Sequence, residues 1–345
     1  MNQLIKPTHL NIGDTIGVIS PSAPMAGLVK RRAEQGINML KTLGFNVRIG
    51  HNAYKVSKYT AGSALERAAD INDFFKDREI KAIFSFIGGN HSNQLLNYLN
   101  FDLIRKNPKI IMGYSDVTVL LMAIYSRLHM VTFYGPAIMT QFAEHPKLNS
   151  YTKEYFEKTL VKTDPVGNIK PSSKWTDEVL DWFSGEDTKK SRKMRINHGW
   201  KWLKGGNTNG IILGGCFSSL MHLRGTPFWP NFKDTILFLE SSENEADFKK
   251  GDSLANIDSY LADMELSGVF KQIKGLVIGR PFRYSQEENS LFEKIIIDRL
   301  SNYHFPILSQ VDIGHTDPMI TIPIGTKVAL DSKKNSFELL ETGVI

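Results

Sequence analysis

Short apolar runs alternate with amphipathic stretches along the first half of the chain. Thr15 to Ser20, Phe45 to Ile49, Ala82 to Ile87, Lys109 to Met112 and Val131 to Phe133 read as strands. Ala26 to Leu43 reads as a helix closed by Gly44, and Val117 to Leu128 as another. Ser63 with Glu66 three residues on is a capping box that opens a helix carrying Ile71, Phe74 and Phe75. Apolar strands alternating with helices predict a mostly parallel, doubly wound sheet with helices on both faces. Ligands of such sheets sit at the carboxyl ends of the strands. The glycine-bearing turns after Ile87 and after Met112 therefore fall at the functional edge.

The rhythm breaks between Lys162 and about Gly210, where a Lys/Arg-rich run follows a Pro/Ser-containing stretch. Strands at Thr235 to Leu239, Gly275 to Ile278 and Val328 to Leu330 then resume, separated by helical patterns near Ser253 to Leu266 and Ser290 to Leu300. This predicts an N-terminal domain over 1–165, a connection with a long loop over 166–209, and a second α/β domain over 210–345. Two domains also suit the length, at about 150 residues per domain.

Composition narrows the function classes. The chain has 41% hydrophobic residues, a single cysteine, Cys216, and a net charge of +6. One cysteine permits no internal disulfide, which fits a reducing compartment. The first residues, MNQLIKPTHLNIGD, lack an apolar stretch of signal-peptide length, and no apolar run approaches the roughly 18 residues of a membrane span. The expectation is a cytoplasmic protein with no membrane partner. The positive charge suits an anionic substrate or simply a lysine-rich composition. No basic stripe with interleaved aromatics is present, so no nucleic acid is expected.

Chemistry concentrates in four places. Ile110 to Asp116 is a buried strand, a glycine, then Ser115 at the mouth of a helix, the layout of a nucleophile elbow without its second glycine. Ser115 is read either as a nucleophile or as a plain helix N-cap. Gly88-Gly89-Asn90 would let backbone N–H groups approach a substrate, or would simply form a tight turn. His315, between Gly314 and Pro318, is a general-base candidate or an ordinary loop histidine. Glu240 ends an apolar strand, where an acid is poorly placed for a core and could orient an imidazole. Glu243 and Glu245 are read as solvated. There is no H-E-x-x-H, no Cys/His cluster of ligand spacing, no phosphate loop and no G-x-G-x-x-G after the first strand, so neither metal nor cofactor is expected.

Taken together, GDTIGVISPSAP (13–24), IGGNHSN (87–93), NPKIIMGYSDVT (107–118), TFYGPA (132–137), Gly214-Gly215, ILFLE (236–240) and GHTDPMITIPIG (314–325) resemble the L,D-carboxypeptidase family of serine peptidases. Within it, the likeness is strongest to the microcin C self-immunity, MccF-like, branch. The resemblance implies a doubly wound N-terminal domain, a C-terminal domain built around a barrel-like sheet, and a cleft between them. It implies a Ser115–Glu240–His315 triad, an oxyanion hole from the amides of Gly89 and Asp116, and a homodimer. Members of the classical branch remove the terminal D-residue of cytoplasmic muropeptides. MccF-like members cut an aminoacyl group from a nucleotide-like leaving group, with a loop tryptophan stacked on the base. Trp182 falls on that position, either as a base platform or as interdomain packing. Gly88 and Asn90 are the other expected substrate contacts. Phe183 to Arg195, Ser241-Ser242 and His91 depart from the branch pattern and bear on specificity. The partner implied is a small peptide or aminoacyl-nucleotide, and the alternative outside enzymology is a peptide-binding protein.

Overall fold

The computed structural model describes residues 3–244 and 247–345. Strands β1 (Thr15–Ile19), β2 (Asn46–Ile49), β3 (Ile80–Ser85), β4 (Ile110–Gly113) and β5 (Thr132–Tyr134) occupy the first half. The middle supplies β6 (Gly167–Asn168), β7 (Lys174–Trp175), β8 (Arg195–Ile196) and β9 (Lys201–Lys204). Next come β10 (Asn207–Cys216), β11 (Thr235–Glu240), β12 (Glu243–Asn244), β13 (Asp247–Gly251), β14 (Gly275–Gly279) and β15 (Ile307–Val311). The chain closes with β16 (Ile322–Ile324), β17 (Lys327–Asp331) and β18 (Ser336–Leu339).

Two large sheets result. The first has six strands in the order β16-β5-β4-β3-β1-β2, with β1 to β5 parallel. The second has eight, β6-β18-β17-β10-β11-β14-β15-β9, with a parallel centre (β10, β11, β14, β15) and antiparallel margins. Strands β3, β4 and β5 are almost wholly buried, which is why they read as unbroken apolar runs.

The helix Thr118–Leu128 is the layer between the sheets. Every residue from Thr118 to Tyr125 is buried, as expected of a helix apolar on all sides. It packs on β5 and on β10. The approach of β10 depends on Gly215, where a Cβ would lie 2.4 Å from Thr118. The Thr118 hydroxyl accepts from the Cys216 amide at 3.1 Å.

The Ser63/Glu66 capping box is present, with both reciprocal hydrogen bonds. Elsewhere the structure corrects the pattern. The helix expected over Ala26 to Leu43 is two, Met25–Leu28 and Lys30–Thr42, broken at Val29 (φ −125°). The apolar spacing runs on through the break and cannot reveal it. The stretch 166–209 is more than connection and loop: β6 and β9 form the two edges of the second sheet. Strands this short carry too few side chains to show an alternation. Last, β16 crosses over to the first sheet, pairing antiparallel with β5 (Ile322 opposite Tyr134). No helix among the described residues is long and apolar enough to cross a membrane.

Candidate active site

Strand β4 delivers Ser115 to its place. The chain leaves Gly113, passes Tyr114, and turns at Ser115 with φ +60° into a 3-10 turn (Ser115–Val117) that leads into the buried helix. A left-handed serine costs of the order of 1–2 kcal/mol and persists only where the surroundings impose it. Gly113 permits the turn, since a Cβ there would lie 2.5 Å from Ser85 Oγ and 2.9 Å from Val117. Ser115 is not an N-cap: its side chain caps nothing, and its backbone is not in the extended region such caps use.

Gly88 lies against this turn. A Cβ at Gly88 would come within 2.9 Å of Ser115 Cβ, 3.1 Å of its Oγ and 3.2 Å of the Asp116 amide nitrogen. The missing side chain leaves space over the hydroxyl and that N–H. Gly89 (φ +142°) sits on Ser22, whose Oγ would be 2.5 Å from an added Cβ. The buried Asp116 carboxylate fastens the turn by accepting from the amides of His91 (3.0 Å) and Ser92 (2.9 Å) and from the Ser92 hydroxyl (2.7 Å). Asn90 bonds His222 Nε2 through Oδ1 at 2.9 Å.

The second sheet supplies the other two groups. Glu240 is the last residue of β11, its side chain 1% exposed, and Oε2 lies 2.7 Å from His315 Nδ1. Gly314 (φ +92°) makes the pairing possible, because a Cβ there would overlap the Glu240 carboxylate at 2.2 Å. His315 lies on the connection 312–321, which leaves the second sheet at Val311 and enters the first at Ile322. Asp312 pins its start, accepting from Ser172 Oγ (2.7 Å), Trp200 Nε1 (3.2 Å) and Arg280 Nη1 (3.1 Å). Burial works against charge on His315, but the carboxylates of Glu240, Glu243 and Asp317 outweigh it and lift the imidazole to about 9. The Tyr114 ring meets the imidazole edge-on, centroids 5.0 Å apart.

Two participants were not legible as such. Tyr134, at the end of β5, donates its hydroxyl to Glu240 Oε1 at 2.5 Å and accepts from the Ser115 amide at 3.2 Å. It joins the serine turn to the acid, and burial pushes its own ionisation far up. The signal was its place in TFYGPA at the carboxyl end of a parallel strand. Glu243 is not simply solvated: its Oε2 lies 3.3 Å from His315 Nε2. Glu245 lies outside the described residues. Among the described residues, no hydrogen bond engages the Ser115 hydroxyl, and none gathers three His, Cys, Asp or Glu side chains fit to hold a metal ion.

The segment 176–199 lies beside the site. Thr176 exchanges two backbone hydrogen bonds with Asp317 (2.7 and 2.9 Å), two residues beyond His315. Trp182 is not freely exposed. It is half-buried, with the Arg32 guanidinium 4.2 Å above its ring. Asp187, buried, grips Arg31 (2.7 Å) and Arg32 (2.6 Å). Phe183 beside it is 68% exposed.

The LD-carboxypeptidase N-terminal domain matches residues 16–135, and the LD-carboxypeptidase C-terminal domain matches residues 209–330. The chain belongs to the LD-carboxypeptidase family. It is a serine-peptidase hydrolase of carboxypeptidase type, and MccF-like. Over 336 residues it is 33% identical to the microcin C7 self-immunity protein MccF of Escherichia coli, covering 96% of this chain and 94% of that one. A Bacillus subtilis protein described as a probable murein peptide carboxypeptidase is 28% identical, with 98% and 95% covered. The structure of MccF in complex with glutamyl sulfamoyl guanosine superposes with a TM-score of 0.91 at 31% identity, covering 99% of this chain and 100% of that one. Ser115, Gly88 and Gly89 lie inside the first matched family domain and Glu240 and His315 inside the second, whereas Trp182 lies between them.

Proposed function

We propose that this family member hydrolyses the amide-type bond joining a C-terminal aminoacyl group to a nucleotide-like leaving group, with Ser115 as nucleophile, His315 as general base and Glu240 as its orienting acid. Ser115 Oγ attacks the scissile carbonyl carbon while His315 takes the hydroxyl proton. The carbonyl oxygen becomes an oxyanion facing the N–H groups of Gly89 and Asp116. Collapse breaks the C–N bond, and His315 returns the proton to the leaving nitrogen. Water then attacks the acyl-serine and gives a proton to His315, and as the ester C–O bond breaks His315 passes that proton to Ser115 Oγ and the acid product leaves. Glu240 keeps Nδ1 protonated and stabilises the imidazolium.

The observation that carries this reading is the 2.7 Å Glu240–His315 pair beside a left-handed serine cradled by Gly88. The nucleotide-like leaving group rests on full-length likeness to MccF, solved with a glutamyl sulfamoyl guanosine. Gly88, Asn90 and the uncovered part of Trp182 are the proposed contacts. The murein peptide relative supports a second reading, removal of a terminal D-alanine from cytoplasmic muropeptides. A cytoplasmic homodimer suits both.

Assaying an aminoacyl sulfamoyl adenosine beside a muropeptide tetrapeptide ending in D-Ala separates the readings. The proposal expects kcat/KM to favour the nucleotide substrate, and a reversed preference replaces it with the second. A Ser115→Ala variant that keeps wild-type turnover on either would remove Ser115 as nucleophile.

A further inference from the structure

His315 has two ring nitrogens, and both face carboxylates. Nδ1 meets Glu240 at 2.7 Å and Nε2 meets Glu243 at 3.3 Å. In the proposed mechanism Nε2 is the atom that must accept the Ser115 proton. A ring nitrogen offers one in-plane position, filled either by a hydrogen or by a lone pair. Glu243 meets Nε2 as an ion-pair contact and not as an aligned hydrogen bond, and a carboxylate there can accept a hydrogen but cannot give one. Two carboxylates this close favour the doubly protonated imidazole, which has no lone pair for the serine.

Glu243 can leave. It opens β12, whose backbone is held by pairing with Gly251 of β13. Gly251 in turn sits so close to the Phe282 carbonyl that a Cβ would lie 2.1 Å away. The main chain is thus fixed while the side chain, 34% exposed, has solvent to turn into. Glu240, at 1% exposure and bonded by Tyr134 as well, has no such freedom.

We propose that Glu243 is a positioning residue that occupies Nε2 of His315 in the free enzyme, and that substrate activates Ser115 by displacing this carboxylate. The proposal rests on the catalytic roles assigned above. It adds a second, releasable carboxylate to the one that orients the base. The charged groups facing His315 are Glu240 from β11, Glu243 from β12 and Asp317 from its own connection, the last paired with Arg192 at 2.6 Å. The other neighbours are the rings of Tyr114 and Phe282.

The test is the pH profile of kcat/KM, which reports ionisations of the free enzyme. Wild type, Glu243→Gln, Glu243→Ala and Ser115→Ala are compared on one aminoacyl sulfamoyl adenosine, and the His315 ring is titrated by nitrogen NMR without substrate. Both Glu243 variants are expected to move the acid limb and the NMR titration down by at least about one pH unit. That raises the rate at pH 7 about tenfold while the alkaline plateau stays within about threefold. A limb and titration that do not move overturn the proposal, as does a collapsed plateau, which would make Glu243 part of the chemistry. An inactive Ser115→Ala with an unmoved limb sinks only the Glu243 role. A fully active Ser115→Ala sinks the mechanism beneath it.

Discussion

Tyr134 donates its hydroxyl hydrogen to Glu240 Oε1 across 2.5 Å, so that both oxygens of the buried acid are engaged, one by phenol and one by imidazole. Removing the phenol oxygen leaves a buried carboxylate oxygen and the Ser115 amide without this partner. Leaving a buried polar group unsatisfied costs about 1–3 kcal/mol. Tyr134→Phe is therefore expected to unfold at a lower denaturant concentration by that amount. It should also lose at least about tenfold in kcat while KM holds, because the acid and the serine turn both loosen. Equal loss of stability and unchanged kcat would make Tyr134 a packing residue.

Ser115 gives an unusual pair of variants. Alanine and glycine both remove the proposed nucleophile, and either should depress kcat by several orders of magnitude. Only glycine also relieves the φ +60° backbone. Ser115→Gly is expected to exceed Ser115→Ala in stability by about 0.5–1 kcal/mol, net of the entropy that glycine adds to the unfolded chain. Urea midpoints of the two inactive proteins decide it. Alanine as the more stable of the two would mean that the strain is not there.

The imidazole couples stability to pH. His315 ionises near 9 when folded, above its ordinary 6.5, so the folded state binds the proton more tightly. That contribution is complete below about 6.5 and is lost as pH rises through 9, with a slope of at most about 1.4 kcal/mol per pH unit. Lys109 tilts the other way, because burial lowers it to about 8. The difference between wild type and His315→Gln isolates the histidine. That difference should shrink from pH 6.5 to pH 9.5 in urea titrations, and a constant difference would refute the coupling.

Specificity is expected to reside in the half-buried tryptophan and its anchor. Base–aromatic stacking is worth roughly 1–3 kcal/mol, or about 5- to 150-fold. Trp182→Ala should lower kcat/KM for an aminoacyl sulfamoyl adenosine by that factor and leave a base-free acyl amide nearly unchanged. Asp187→Asn keeps the ring but weakens the grip on Arg31 and Arg32, and should raise KM for the same nucleotide substrate alone. If both substrates slow equally, Trp182 serves packing.

What was legible follows from what each element buries. Strands β1, β3, β4 and β5 are parallel and covered on both faces, so each is written as a continuous apolar run. Glu240 stood out because an acid has no place at the end of such a run. The ten residues of β10 passed unread, since Asn207 to Gly210 are polar or bare and Gly214-Gly215 resembles a turn. Glycines there permit close packing: an added Cβ at Gly214 would lie 1.8 Å from the Phe238 carbonyl oxygen. Tyr134 could not be singled out within TFYGPA, because its hydroxyl's partner lies 106 positions away in sequence. Glu243 looked solvated for the same reason, its partner histidine lying on a different strand connection.

Strand β16 leaves one sheet's connection and completes the other. The segment bearing His315 is thereby clamped at both ends, to β15 on one side and to β5 on the other. Two halves cut between residues 165 and 210 would each be missing a piece: the first would lack an edge of its sheet, and the second would carry that edge with nothing to pair. The two matched domains are therefore joined by an exchanged strand as well as by the connecting chain. The proposed reacting groups, Ser115 after β4, Glu240 at the end of β11 and His315 between β15 and β16, all hang from strands that sheet hydrogen bonds hold in register.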